Sequence, residues 1–242
     1  MEQSRWRLQD LMSYVPQVKS RSGMWRVLHK LGFSYRRSWS HQISPDPWAQ
    51  AKLEWIAAVK ARAQQQPDQV VMLWLDELTF YRLPSTSRTW CKRGGRAQKA
   101  RLTAGHNTVA RVVGALNAHT GQCTYWLRSK IGESELGRFY AHVRQQYPLA
   151  QEIYLIQDCW PVHFLPSVCA AAVAQGVTLV PLPTYASWRN PIEKLWRWLK
   201  QSVLHMHPWA DDWLRLKQAA SAFLDRFSSP NLALLRYIGL PT

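Results

Sequence analysis

The pattern of apolar and polar residues predicts a helical beginning to the chain. Two short helices are expected at about 6–15 and 22–31, because apolar residues recur there at helical spacing and Gly32 follows the second as a stop signal. A polar, proline-containing linker is predicted at 34–47. A longer helix then covers about 48–65 and ends before QQQPDQ.

Strand-like patterns begin at residue 70. VVMLWLD (70–76) and IYLIQD (153–158) are continuous apolar runs that end in an acid, as expected of buried central strands. Further strands are predicted near 80–84, 107–116, 122–128 and 178–183, and further helices at about 133–146, 165–175 and 211–227. Strands followed by alternating helices and strands indicate an α/β fold, in which helices flank a mixed sheet.

The stretch LPTYASWRNPIEKLWRWLK (182–200) predicts one more helix. Asn190 is a favoured N-cap residue, Pro191 suits the first helical position, and Glu193 is placed to reach back to the backbone N–H of the cap. An apolar stripe follows, and Arg197 and Lys200 share the opposite face with Glu193. Taken alone, this stretch favours a capping role for Glu193 over a catalytic one.

The net charge of the chain narrows the class of molecules that it is expected to bind. The chain has 31 Lys and Arg against 15 Asp and Glu, a net charge of +16. Such an excess favours a polyanion, most often nucleic acid, although ribosome-associated and membrane-surface proteins share it. Two blocks, 19–37 and 81–111, contain basic residues and no acid. They are interpreted as a nucleic-acid surface or, alternatively, as two solvated loops.

Other compositional features exclude several classes. No apolar run is long enough to span a membrane, and no secretion signal opens the chain. Four scattered cysteines without a CxxC pair fit reduced thiols in a cytoplasm and argue against a zinc ribbon. His205 and His207 are interpreted as part of a solvated helix end rather than a soft-metal site, since no third ligand is evident.

Asp76 and Asp158 each end an apolar run. Burial of a carboxylate at such a position costs free energy unless the group is exposed, hydrogen-bonded or bound to a cation. Each acid alone is adequately explained as a residue that starts a turn at the end of a strand. If the two strands are neighbours, both acids open onto one edge of the sheet. Glu193 would then complete a site for two Mg²⁺ ions, which prefer oxygen ligands and can promote phosphodiester cleavage.

Three motifs carry a family resemblance. LWLDELTFYRLPSTSRTWCKRG, IYLIQDCWPVHF and LVPLPTYASWRNPIEKLWRWLK, in that order, resemble the DDE transposases of bacterial insertion sequences in the mariner superfamily. More narrowly, they are similar to the insertion-sequence six-thirty family. The resemblance covers about residues 20–227, and the three acids of the family fall on Asp76, Asp158 and Glu193.

The resemblance implies a ribonuclease-H-like catalytic domain that uses Mg²⁺ or Mn²⁺, with two ions held by those acids. It implies cleavage and joining of double-stranded DNA at transposon ends and in the target, by a homodimer assembled on DNA. The expected location is the bacterial cytoplasm, at the nucleoid. Glu193 is then interpreted as a metal ligand, a role compatible with capping.

The expected domain organisation follows the family. We expect a helix-turn-helix-like segment at 1–40, a linker and helix at 41–66, the catalytic domain at 67–228 and a tail at 229–242. The first segment is interpreted as the end of a helix-turn-helix or, equally, as an ordinary helical hairpin. Family members usually have two helical DNA-binding subdomains and only the later one fits here, so a truncated copy is expected.

Basic side chains in three parts of the chain are the predicted DNA contacts. They belong to the second helix, to the basic block after the first strand, and to the neighbourhood of Glu193, where they would meet phosphates. They are Arg21, Arg26, Lys30, Arg88, Lys92, Arg93, Arg96, Lys99, Arg101, Arg189, Arg197 and Lys200.

Residues beside the acids leave alternatives open. The family usually has Asn where Cys159 stands, and a thiol cannot reproduce the hydrogen bonds of an amide. A catalytically impaired DNA-binding remnant or regulator is therefore the alternative function, and another nuclease of this fold, a ribonuclease or junction resolvase, is a third.

Glu77 is predicted to be structural, because it points to the opposite face of the strand from Asp76. His163 is interpreted as a phosphate or metal-site neighbour or as an ordinary hydrogen-bonded histidine.

Overall fold

The computed structural model describes residues 6–36 and 44–240, which fall into two compact units, Met1–Gln42 and Ile43–Thr242. Residues 6–36, the described part of the first unit, form two helices, α1 (Leu8–Met12) and α2 (Arg21–Lys30). The hydroxyl of Ser20 caps α2 by accepting a hydrogen bond from the N–H of Gly23. The helix predicted at 6–15 is thus present but shorter than expected.

A five-stranded mixed sheet forms the centre of the second unit. Its strands are β1 (Val70–Tyr81), β2 (Val109–Asn117), β3 (Cys123–Arg128), β4 (Glu152–Gln157) and β5 (Val177–Pro181). Their order in the sheet is β3-β2-β1-β4-β5. The pairs β1–β2 and β2–β3 are antiparallel, whereas β1–β4 and β4–β5 are parallel. The two apolar runs that end in acids therefore form adjacent parallel strands, as the site hypothesis requires.

In the described part of the second unit, residues 44–240, six α-helices surround the sheet. They are α3 (Ala49–Gln65), α4 (Glu133–Gln146), α5 (Pro166–Ala174), α6 (Ile192–Leu199), α7 (Trp213–Asp225) and α8 (Leu232–Ile238). Alternate residues of β1 enter two separate cores: Val71, Leu73 and Leu75 pack with α4 and α5, whereas Met72 and Trp74 pack with α3, α6, α7 and α8. Because both faces of β1 are covered, its first half is continuously apolar. The predicted α/β fold with a helix-flanked mixed sheet is confirmed.

One strand prediction is wrong in a way that affects the site. The segment near 80–84 does not form a separate strand, because β1 continues through Tyr81 and pairs with β2 over its whole second half. Asp76 therefore lies inside β1 rather than at its end. Asp158 directly follows β4, as expected.

The end of the second unit is more ordered than the sequence suggested. Helix α8 lies in the segment 229–242 that was expected to be a tail, and its Leu234 and Leu235 are buried in the core. Helix α6 continues into a π-helical turn, Lys200–Leu204. None of the helices within 6–36 and 44–240 is long and apolar enough to cross a membrane.

Candidate active site

Asp76 lies on the face of β1 that packs against α6. Oδ2 of Asp76 accepts a hydrogen bond from the indole N–H of Trp196, at 3.0 Å. Gly114 stands opposite Asp76 in the register of β1 and β2. A Cβ atom on Gly114 would lie only 2.7 Å from the Trp196 ring, so the glycine leaves the space that the indole occupies beside the acid.

Glu193 occupies the first turn of α6, but the local capping prediction for this helix is wrong. The buried side-chain amide of Asn190 donates a hydrogen bond to the backbone oxygen of Leu75 in β1, at 2.8 Å, and does not cap α6. Within 6–36 and 44–240, the half-buried carboxylate of Glu193 accepts no hydrogen bond. Asn190 instead ties the start of α6 to the strand that carries Asp76.

The three predicted acids act on one another electrostatically. Burial, followed by the negative charges of Glu193, Glu77 and Asp158, raises the pKa of Asp76 to about 8 from its usual 3.8. Like charges and a low dielectric both disfavour the ionised form of a carboxyl group. Asp76 therefore lies where a bound cation would lower the free energy of its charged form.

The donor chemistry fits a hard divalent cation, although the acids do not converge to the spacing of ligands. In the part of the chain that the structure describes, no three His, Cys, Asp or Glu side chains are grouped closely enough to hold one metal ion. The negative charges of Glu193 and Asp158 nevertheless raise the pKa of Asp76, and all three side chains offer carboxylate oxygens. Oxygen ligands suit Mg²⁺ and Mn²⁺, and such an ion would favour the ionised form of Asp76, which burial and the neighbouring acids disfavour.

His163 joins Asp158 to Glu77. Its ring is fully buried, with Nε2 3.1 Å from Oε1 of Glu77 and Nδ1 3.3 Å from Oδ1 of Asp158. Burial opposes the charge of His163, but the contacts with Asp158 and Glu77 outweigh it and raise the pKa of the imidazole to about 10. The hydrogen bond from His163 is in turn the main reason that the pKa of Asp158 is lowered. Sequence reasoning left His163 open and did not pair it with Glu77.

The DDE superfamily endonuclease family matches residues 71–213. The chain belongs to this family. Its matched region contains Asp76, Asp158 and Glu193, and the predicted family resemblance is confirmed. A curated relative, the insertion element IS630 uncharacterized 39 kDa protein of Shigella sonnei, is 23% identical over 194 residues, 80% of this chain and 55% of that protein. The chain thus spans about half the length of this relative.

Solved structures of Mos1 share the fold of this DDE family member. The Mos1 mariner paired end complex with Mn matches with a TM-score of 0.66 at 11% identity, over 99% of this chain and 76% of that chain. The Mos1 strand transfer complex matches with a TM-score of 0.61 at 13% identity, over the same shares of the two chains. These matches confirm the predicted ribonuclease-H-like fold.

The thiol of Cys159, which stands where the family resemblance implies Asn, makes its hydrogen bonds with groups other than the three predicted acids. It donates to the backbone oxygen of Leu182, at 3.1 Å, and Nζ of Lys52 lies 3.9 Å from its sulfur. Cys159 therefore contacts the start of α3 and the segment after β5. Its immediate neighbour, Asp158, is oriented by His163 instead.

Asp46 anchors the loop that leads to Glu193. Its Oδ2 accepts hydrogen bonds from the backbone N–H and the hydroxyl of Thr184, at 2.9 and 3.2 Å, and from Nζ of Lys52 at 2.7 Å. The hydrogen bond from Lys52 is the largest cause that lowers the pKa of Asp46, well below its usual range. Sequence reasoning placed Asp46 in a polar linker and missed this contact.

The basic block lies in the connection between β1 and β2, residues 82–108, which contains no helix or regular strand. Trp90 in this connection is 98% exposed. Five exposed cations have no hydrogen bond or ion pair with residues 6–36 or 44–240, namely Arg88, Lys92, Arg93, Arg96 and Lys99. Arg101 differs, because its guanidinium pairs with Asp211 at 2.8 Å. The connection therefore presents positive charge that the described parts of the chain do not neutralise.

The other predicted DNA contacts lie on helices or next to them. Arg21, Arg26 and Lys30 are exposed on α2, in the first unit. Arg189 and Arg197 are exposed near Glu193 in the second unit, and Lys200 is partly exposed. These side chains are accessible to a phosphate backbone within their own units.

The two histidines after α6 do not form a solvated helix end. Nδ1 of His205 lies 2.7 Å from the hydroxyl of Ser85, and His207 is buried and accepts a hydrogen bond from the N–H of Trp209. Burial lowers the pKa of His207. The expectation of a solvated pair is wrong for His207, since the chain folds back there against Ser85 and Trp209.

Proposed function

We propose that this chain is a metal-dependent DNA transposase of an insertion sequence, which cleaves the element ends and joins them to target DNA. The observation that carries the proposal is the half-buried Asp76, whose pKa is raised by partial burial and by the charges of Glu193 and Asp158. Membership of the DDE endonuclease family and the identity of the proteins that the chain resembles support it. The curated relative is an insertion-element protein, and the Mos1 structures include paired-end and strand-transfer complexes.

Asp76, Asp158 and Glu193 would bind two Mg²⁺ or Mn²⁺ ions. The Mos1 paired end complexes contain Mn or Mg, which supports this choice of ion. Bound divalent ions would make water, and later a 3′-hydroxyl, nucleophilic and would neutralise the leaving oxygen. Trp196 holds Asp76 in this scheme, and His163 holds Asp158.

Double-stranded DNA is the proposed partner of both units. The unpaired cations of the connection between β1 and β2 would contact the phosphate backbone, and those beside Glu193 would contact phosphates near the cleaved bond. The helices of the first unit would contribute Arg21, Arg26 and Lys30. We propose that the segments 1–40, 41–66 and 67–228 serve as DNA-binding segment, linker and catalytic domain, and that a homodimer assembles on DNA in the bacterial cytoplasm.

A nicking assay on supercoiled plasmid with Mn²⁺ or Mg²⁺ tests the proposal. The wild-type chain is expected to nick the plasmid only with metal, and Asp76→Asn, Asp158→Asn and Glu193→Gln are expected to abolish nicking while they retain DNA binding. Asp68→Asn, at an exposed aspartate, is the matched control and should nick normally. Metal-dependent nicking by Asp158→Asn would reject the assignment, and DNA binding without any wild-type nicking would support the inactive alternative.

A further inference from the structure

We propose that His163 and Glu77 are positioning residues that hold the carboxylate of Asp158 so that one of its oxygens is presented to a cation. This inference rests on the proposed role of Asp158 in metal binding. It assigns a purpose to two side chains that the family motif of three acids does not contain. Both lie on the α4 and α5 side of the sheet, opposite the contact between Trp196 and Asp76.

The position of His163 is firmly constrained. It belongs to a short 3-10 turn, Pro161–Phe164, that follows Asp158, and its side chain has no exposed surface. The ring of Trp160 packs edge-on against the imidazole, with 5.3 Å between ring centres. A buried ring packed in this way has little freedom to change its orientation, so its two nitrogens define fixed directions.

Both nitrogens of His163 are used by the protein itself. Nε2 faces Glu77, and Nδ1 faces the side chain of Asp158 and also its backbone oxygen, again at 3.3 Å. A ring whose two nitrogens are both directed at acids has no lone pair available for a metal and no free N–H for a phosphate. The contacts therefore favour a positioning role over either direct role.

The contacts of Asp158 fall on one of its two oxygens. Oδ1 accepts the backbone N–H of Trp160 at 3.0 Å and faces Nδ1 of His163. Oδ2 makes no hydrogen bond or ion pair with the described stretches of the chain, and 41% of the side chain is exposed. Oδ1 is thus the oxygen that holds the carboxylate in place, and Oδ2 is the oxygen left for a cation.

Glu77 extends the same arrangement to β1. It is adjacent to Asp76 in the strand and points to the opposite face, where it accepts from His163. The series Asp76, Glu77, His163, Asp158 therefore connects the two acids of adjacent strands through one peptide bond and two side-chain contacts. Removal of Glu77 would leave the imidazole held from one side only.

The test compares Glu77→Ala, Glu77→Gln and His163→Asn with the wild-type chain, and uses His142→Asn as control. His142 is a partly buried histidine on the same face of the sheet, and its ring packs at a tilt against Trp126 rather than near the acids. Mn²⁺ affinity is measured by calorimetry without DNA, the Mn²⁺ concentration for half-maximal nicking is measured on plasmid, and thermal unfolding reports on the fold.

We expect His163→Asn and Glu77→Ala to weaken Mn²⁺ binding by roughly 10- to 100-fold, the usual effect of losing a partner of a metal ligand. Glu77→Gln keeps an oxygen that accepts from His163, so its Mn²⁺ affinity should lie within about threefold of wild type. Should His163→Asn fail to fold, the two Glu77 variants decide the matter.

Two results overturn the inference. Wild-type Mn²⁺ affinity in both Glu77→Ala and His163→Asn, or a loss no larger than in His142→Asn, would show that these residues only support the fold. That result leaves the proposed function intact. A wild-type chain that neither binds Mn²⁺ nor nicks DNA would overturn the proposed function, and this inference with it.

Discussion

Trp196 of α6 donates its indole N–H to Oδ2 of Asp76 in β1, at 3.0 Å. The same helix carries Glu193, so one element both holds the first acid and supplies the third. The side-chain amide of Asn190 adds a second link, to the backbone of Leu75. The position of α6 relative to β1 therefore determines how these two acids face each other.

Trp196→Phe removes the donor to Asp76 and keeps most of the aromatic contact. We expect it to destabilise the fold by about 1–3 kcal/mol, because a half-buried oxygen loses its hydrogen bond and the smaller ring leaves space in the core. Urea unfolding followed by circular dichroism measures the change. Trp90→Phe, at a 98% exposed tryptophan, is the control and should be neutral. Equal stability of the two variants would show that the indole hydrogen bond contributes nothing.

Gly114→Ala tests whether the space beside Trp196 is required. The added methyl group would lie 2.7 and 2.9 Å from two ring atoms of the indole, so the ring must move. We expect a loss of roughly 1–3 kcal/mol in stability, typical of overpacking. In the double variant with Trp196→Phe, the smaller ring should make the combined loss less than the sum of the single losses. Strict additivity would contradict a direct clash.

The pH dependence of stability should report on Asp76. The pKa of an unperturbed aspartate is 3.8, whereas that of Asp76 in the folded protein is about 8. Between about pH 4 and pH 8, Asp76 is therefore protonated in the folded chain and ionised in the unfolded chain. The contribution of Asp76 to the free energy of unfolding therefore falls as pH rises from about 4 to 8, by at most about 1.4 kcal/mol per pH unit.

Asp76→Asn isolates this contribution. The amide cannot ionise, so the variant should gain stability relative to wild type as the pH is raised from about 5 to about 8. Urea unfolding of both proteins at several pH values gives the difference, in which the titrations of other groups largely cancel. Parallel curves for the two proteins would contradict the raised pKa of Asp76.

The sequence predicted elements well where a single local pattern dominates. The apolar runs before Asp76 and Asp158 are strands, because a strand buried on both faces has no polar position. The second half of β1 was misread, since only one of its faces stays buried beyond Asp76 and the pattern changes from continuous to alternating. The change from a strand buried on both faces to a strand buried on one face therefore resembled the end of one strand and the start of another.

Contacts distant in sequence were beyond prediction. Asn190 has the local signature of a cap, yet a buried amide that can reach the backbone of Leu75 is used there instead. Asp46 and Thr184 are 138 residues apart, and no periodicity relates them. The three acids were identified by the family resemblance, whereas the pairing of Glu77 with His163 depends on how β1 and the turn after β4 meet.

Asp46→Asn should loosen the loop before α6. An amide offers one oxygen and no charge to the donors from Thr184 and Lys52, so these hydrogen bonds weaken. We expect faster hydrogen exchange at the backbone N–H of Thr184, measured by NMR or mass spectrometry. Since the pKa of Asp46 is lowered in the folded state, its contribution to stability is present above about pH 4 and is lost as the pH falls further. Asp68→Asn is the control. Equal exchange rates at Thr184 in the two variants would show that Asp46 does not hold this loop in place.

The connection between β1 and β2 should contribute to the salt dependence of DNA binding. Lys92 and Arg93 are exposed and lack partners in the described residues, so each is free to replace a counterion on phosphate. We expect the double variant Lys92→Ala/Arg93→Ala to reduce the slope of log affinity against log salt by about 0.9 for each cation removed. Fluorescence anisotropy with duplex DNA at several salt concentrations measures this slope. Arg62→Ala removes a cation paired with Glu152 and should leave the slope unchanged. If Lys92→Ala/Arg93→Ala and Arg62→Ala gave the same slope as wild type, DNA would not contact this connection.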